Sequence, residues 1–134
     1  CEEVYPVLWQ LAGRSLPARA RKRGKPTLRI PPTRFDCVLI DPPALSKGFF
    51  GSVDVVRDYQ SLLRPCLELL QPGGRILACN NSPRMTLEAF VDVLAGCARK
   101  AGRPIASTTP LPSDPDFPPL GEAALKAIWL EFSD

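Results

Sequence analysis

The sequence predicts an α/β fold, a mostly parallel sheet with helices on its faces. Three observations carry this. The runs Phe35–Ile40 and Arg75–Cys79 are short and nearly continuous in apolar side chains, the pattern of strands buried on both faces. Amphipathic stretches with a helical period follow each of them. The resulting order is strand, helix, strand, helix, strand, loop, strand, the alternation that parallel sheets require. A length of 134 residues suits one domain, and 45% apolar residues are enough for a core.

Glu2 to Ala12 reads as a short helix. Val4, Leu8 and Leu11 recur at helical spacing, Gly13 can stop it, and Pro6 fits only in the first turn. Residues 14–34 hold four prolines, one glycine and eight basic residues without any period, so they read as an irregular connection. The strand Phe35–Ile40 must stop at Asp41-Pro42-Pro43, because proline has no N–H for the ladder. Residues 44–52 read as loop. A helix is expected from Val53 to Leu70, kinked or divided at Pro65. Gln71-Pro72-Gly73-Gly74 reads as a turn, Arg75–Cys79 as a second buried strand, and Asn80-Asn81-Ser82 as its polar end.

The strongest helix pattern is Leu87, Phe90, Val91, Leu94, Ala98 and Ala101, with Ser82 or Thr86 as cap and Gly102 with Pro104 as stop. Ile105–Thr109 and Lys126–Phe132 read as strands, joined by a Pro-rich loop over residues 110–121. There are no internal repeats.

Charge divides the chain in two. Residues 1–34 carry eight Lys/Arg against two Glu, and residues 35–134 carry nine against twelve. A basic segment beside a mildly acidic body points to a polyanion. The densest part is Arg19, Arg21, Lys22, Arg23 and Lys25. No apolar run approaches 18 residues, and Cys1-Glu2-Glu3 does not begin a signal peptide, so no membrane role is expected. Five cysteines without paired spacing suggest reduced thiols in a cytoplasmic compartment. Cys37, Cys66, Cys79 and Cys97 are expected on core faces, protonated and inert. The chain has no histidine, which removes imidazole acid–base chemistry and most zinc sites, and no metal is expected.

Ligands of open parallel sheets gather at the carboxyl ends of the strands. Here two strands end in polar groups, Asp41-Pro42-Pro43 and Asn80-Asn81-Ser82. The first offers a carboxylate and carbonyls with no N–H groups beside them, suited to an exocyclic amine and a flat ring. The second can donate and accept, as a base edge requires. Spacing alone leaves open that these residues merely end a strand and cap a helix.

The stretch Phe35-Asp36-Cys37-Val38-Leu39-Ile40-Asp41-Pro42-Pro43 resembles the fourth strand and following motif of class I S-adenosylmethionine-dependent methyltransferases, in the Asp-Pro-Pro form seen in enzymes that methylate nucleobases. Val56-Arg57-Asp58-Tyr59, Leu70-Gln71-Pro72-Gly73-Gly74-Arg75-Ile76-Leu77 and Asn80-Asn81 are similar to the continuation in bacterial large-subunit ribosomal RNA methyltransferases. Glu3-Val4-Tyr5 with Leu8 resembles that family's segment after the third strand.

The resemblance implies a partial Rossmann-like sheet, family strand order 4-5-7-6, with the last strand antiparallel. It implies S-adenosyl-L-methionine as cofactor, Glu3 toward its adenine, and Asp41 and Pro42 at the methyl donor and target nitrogen. Pro43, Lys47, Asn80 and Asn81 would face the target base, although Ala44 supplies no stacking ring after Asp-Pro-Pro. The basic residues 19–25 would meet RNA. In the cytosine-5 branch a nucleophilic cysteine occupies the place of Asn81, so nitrogen methylation is expected instead. The chain lacks the family's Gly-rich first loop and the acidic end of its second strand. It therefore reads as residues 1–34, a helix and basic connection, followed by residues 35–134, the C-terminal half of a catalytic domain. That half is expected to be inactive alone and to partner the upstream half of the same protein. Two other functions stay open: methyl transfer to a small molecule or protein, and a non-enzymatic interaction module on a remnant fold.

Overall fold

A computed structural model describes residues 4–15, 29–43, 45–48, 51–54, 59–116 and 125–133. Its elements run α1 (Val4–Leu11), β1 (Phe35–Ile40), β2 (Leu45–Gly48), β3 (Gly51–Asp54), α2 (Tyr59–Glu68), β4 (Leu70–Asn80), α3 (Leu87–Lys100), β5 (Ile105–Leu111) and β6 (Lys126–Phe132). β1 lies parallel to β4, β6 inserts antiparallel beside β4, and β5 is antiparallel to β6, giving the order β1-β4-β6-β5. This is the order the resemblance implied, and β6 has the boundaries read from its pattern.

Alternation along the strands decides what is buried. Ile76, Ala78, Ile128 and Leu130 point to one face, where Tyr59, Leu63 and Leu67 of α2 and Phe90, Leu94 and Ala98 of α3 cover them completely. Tyr59 and Phe90 meet edge to face with centroids 4.9 Å apart. Thr86 caps α3, its hydroxyl accepting from the Ala89 N–H at 3.2 Å, and Gly102 ends it at φ 74°. α1 packs beside α2 through the Tyr5–Ser61 hydroxyl contact of 3.2 Å and an ion pair between Arg14 and Glu68.

The other face carries Cys37, Leu39, Arg75, Leu77 and Trp129, which the register places side by side. No described helix covers it, and Leu39 is 68% exposed. The expectation of a strand buried on both faces therefore fails for β1, and Cys37, expected in the core, is exposed. β1 is the outer strand here, with α2 and α3 on one side only. The Arg75 guanidinium stacks over the Trp129 ring, 4.7 Å from its centroid.

Three local features also differ from the sequence reading. Residues 45–48 and 51–54, expected as loop and helix start, pair antiparallel as the two strands of a hairpin, with Gly48 opposite Gly51. The following helix is correspondingly shorter, Tyr59–Glu68, and runs through the buried Pro65 without dividing. The turn Gln71–Gly74 is a bulge within β4. Phe35 faces Leu70 but Cys37 faces Arg75, so four residues of β4 stand against Asp36 alone, three more than the ladder needs. Gly73 adopts φ 71° there, and a Cβ on Gly74 would meet the Gln71 and Asp36 carbonyl oxygens at 3.0 and 3.2 Å. Arg103 holds the base of the bulge, donating to the Leu67 carbonyl at 3.0 Å and the Gln71 carbonyl at 3.4 Å.

Candidate active site

β1 and β4 run parallel with Ile40 opposite Ala78, so both polar clusters leave the same edge of the sheet. Asp41 and Pro43 are exposed and Pro42 half-buried. The Asp41 carboxylate lies close enough to act on the two groups beneath it. Burial pushes the Cys79 thiol up, and Asp41 adds to that shift. Burial likewise pushes up the Tyr59 phenol, reinforced by Cys79 and Cys66 and more weakly by Asp41. Tyr59 thus stays protonated and donates to the Cys79 carbonyl at 3.2 Å, tying α2 to the strand end.

Across the edge, the Asn80-Asn81-Ser82 turn divides into locked and presented parts. Asn80 is 1% exposed and Ser82 2%. The Asn80 side-chain oxygen accepts from the Ser82 N–H at 2.8 Å, and its amide donates to the Met85 sulfur at 3.2 Å. The Ser82 hydroxyl accepts from the Arg84 N–H at 3.3 Å. Asn80, expected at a base edge, thus has both ends of its amide engaged inside the protein, and Asn81 is the exposed member of the pair. Lys47 lies on β2 of the hairpin that follows Asp41-Pro42-Pro43. Glu3, Arg19, Arg21, Lys22, Arg23 and Lys25 lie outside the described residues.

One residue at this edge was not singled out by sequence reasoning. Lys126 stands opposite Asn80 in the β4–β6 ladder and donates through Nζ to the Ser82 carbonyl at 3.0 Å. Burial lowers its pKa. Nothing in the local sequence signals this, since the contact joins residues 44 positions apart.

The edge presents acceptors: the Asp41 carboxylate and the carbonyls of Pro42 and Pro43, which have no N–H groups between them. That set of acceptors complements a cationic methyl donor and an amine. It contains no metal cluster, and no group of three or more His, Cys, Asp or Glu side chains suited to a metal occurs among the described residues. No described helix is long and apolar enough to cross a membrane. Among the described residues, a cavity of about 290 Å³ lies elsewhere, between α2 and α3 at Arg64, Cys97 and Lys100, and another of about 550 Å³ lies near Arg34, Glu68 and Arg103.

The model of the S-adenosylmethionine-dependent methyltransferase family matches residues 22–131. The chain is 37% identical over 57 residues to the ribosomal RNA large subunit methyltransferase K/L of Allochromatium vinosum, covering 41% of this chain and 8% of that protein. It is 39% identical over 67 residues to the enzyme of that name from Methylococcus capsulatus, covering 48% and 9%. It is 31% identical over 72 residues to ribosomal RNA large subunit methyltransferase I of Citrobacter koseri, covering 54% and 18%. The alignments thus span less than a fifth of these relatives. In fold, the chain is similar to SMU.776, described as a methyltransferase and crystallised with SAH, with a TM-score of 0.64 and 22% identity over 97% of this chain and 30% of that one. A structure described as a SAM-dependent methyltransferase from Streptococcus mutans gives a TM-score of 0.54 and 28% identity over 74% and 26%.

Proposed function

The chain belongs to the S-adenosylmethionine-dependent methyltransferases, and from that premise we propose that it forms the C-terminal half of a catalytic domain that methylates a nitrogen of a ribosomal RNA base. The observation that carries this reading is the parallel β1–β4 register, which brings Asp41-Pro42-Pro43 and Asn81 to one edge. The names of the curated relatives support ribosomal RNA as substrate.

S-adenosyl-L-methionine, when bound, supplies an electrophilic methyl group on a sulfonium. The residues of this chain position what that methyl meets. Asp41 and the Pro42 carbonyl accept hydrogen bonds from a target amine and favour the positive charge that builds on a nitrogen as it is methylated. Pro43 gives a flat apolar surface to the ring, and Asn81 donates to and accepts from the base edge. Lys47, on the strand Leu45–Gly48 beyond the Asp-Pro-Pro turn, would add a cation to RNA binding. Glu3 would contact the cofactor's adenine, and Arg19, Arg21, Lys22, Arg23 and Lys25 would neutralise RNA phosphates.

Carbon-5 methylation needs a thiolate that attacks the ring. Cys79 is 8% exposed and its thiol is pushed up, which leaves it protonated. A ring or exocyclic nitrogen needs only positioning. The upstream half of the same protein would complete the cofactor site and cover the apolar face of Leu39, Leu77 and Trp129.

The test is methyl transfer from labelled S-adenosylmethionine to large-subunit ribosomal RNA by the full-length protein. Label on a base nitrogen, retained in Cys79→Ala, is the expected result. Label on a protein or a small molecule, or a covalent RNA adduct at Cys79, overturns the reading.

A further inference from the structure

The turn that follows β4 is held from four sides. Asn80 fixes the Ser82 N–H, the Ser82 hydroxyl fixes Arg84, the Met85 N–H reaches the Ser82 carbonyl at 3.4 Å, and Lys126 reaches that same carbonyl at 3.0 Å. Asn80 and Ser82 are both buried, so the exposed Asn81 sits between two immobilised neighbours. Three of these four contacts join residues within 80–85. The Lys126 contact depends on β6 being inserted beside β4.

Lys126 is half-buried at this point, and burial lowers the pKa of its ammonium. What the ammonium adds is a strong, charge-assisted bond at the point where the turn leaves the sheet.

We propose that Lys126 is a positioning residue for the target base: by clamping the Ser82 carbonyl it fixes the backbone of Asn81 at the edge shared with Asp41-Pro42-Pro43. The assignment rests on the reading of this edge as the methyl-transfer site. Lys126 touches neither substrate nor cofactor in this role. Displacing a substrate-orienting residue by about 1 Å can cost roughly 100-fold in rate, so loss of the clamp is read in turnover rather than in cofactor binding.

The experiment compares Lys126→Met and Lys126→Arg with wild type in the full-length enzyme, at saturating substrate. The expected result is a kcat lower by about tenfold or more in Lys126→Met, with the KM for S-adenosylmethionine within about twofold, and recovery of most of the lost kcat in Lys126→Arg, which keeps a cationic donor. A Lys126→Met enzyme with wild-type kcat, or a Lys126→Arg enzyme no better than Lys126→Met, overturns the proposal. Should Lys126→Met fail to fold, Lys126→Gln takes its place under the same two outcomes. The comparison is made on whichever substrate the wild-type enzyme methylates. Inactivity of wild type on RNA therefore counts against the RNA reading, and an unchanged kcat in the variant counts against Lys126.

Discussion

Ile40 lies opposite Ala78 across the parallel β1–β4 ladder, and this one pairing sets the geometry of the candidate site. It makes Asp41 the first residue beyond β1 at the level of Cys79, and it leaves Asn81 just past the end of β4 on the same edge. A parallel pair delivers both strand ends to one side, which a hairpin cannot do.

Asp41 is exposed, so its carboxylate contributes little to folding, and the proposed function gives it a place in methyl transfer. Asp41→Asn in the full-length enzyme is expected to lower kcat/KM for methyl transfer by about 100-fold, the usual scale for losing one preorganised electrostatic contact. Its melting temperature should match wild type. A variant with full activity removes Asp41 from the site.

The thiols differ in their surroundings, and their reactivity should follow. Burial pushes the Cys66 thiol up to about 12, from 9.0, whereas Cys37 is exposed. Mass spectrometry after brief alkylation near neutral pH should find Cys37 modified before Cys66. The same shift has a consequence for stability. Between pH 9 and about 12 the unfolded chain releases the Cys66 proton and the folded chain keeps it, so stability is intact below pH 9 and falls as pH rises through that window. Cys66→Ala should show a shallower alkaline decline in urea titrations.

Two glycines make a paired test of packing. Gly74→Ala would push a methyl against two carbonyl oxygens at 3.0 and 3.2 Å, both backbone, and should cost about 1–3 kcal/mol. Gly96 lies within α3, where an added Cβ meets nothing within 4 Å, so Gly96→Ala should gain roughly 0.5–1 kcal/mol from helix propensity. Denaturant midpoints of the two variants should move in opposite directions. A Gly74→Ala midpoint at or above that of wild type would show that the β4 bulge yields readily.

Residues 1–134 by themselves should not bind S-adenosylmethionine measurably in calorimetry. The contacts assigned here are a few hydrogen bonds of roughly 1 kcal/mol each, which cannot offset the ordering of a flexible cofactor. Binding should return when the upstream part of the protein is supplied. Micromolar affinity in the isolated chain would mean that residues 1–134 carry the whole cofactor site.

Element types were legible in the sequence because their signals are local. The alternation in Lys126–Phe132, the helical stripe from Leu87 to Ala98 and the prolines after Asp41 each report on neighbours within a few residues. The hairpin at Leu45–Asp54 was missed because its strands are only four residues each and lack an alternating apolar pattern. Pro65 misled for a related reason: its cost to a helix is local, and its burial with Leu62, Leu63 and Leu67 in the core outweighs that cost.

By itself the sequence determined most of the helices and strands of the main sheet and that both neighbouring strands end in polar groups, and it placed Cys37, Cys66, Cys79 and Cys97 alike in the core, which holds for the last three. Only the tertiary structure decided which groups those ends present. It turned the Asn80 amide inward and left Asn81 outward, exposed Cys37 and Leu39 on an uncovered face, and carried Lys126 to the Ser82 carbonyl. The physical reason is that burial and long-range hydrogen bonds follow from strand order and register. Those are fixed by how whole elements pack, and no window of a few residues contains them.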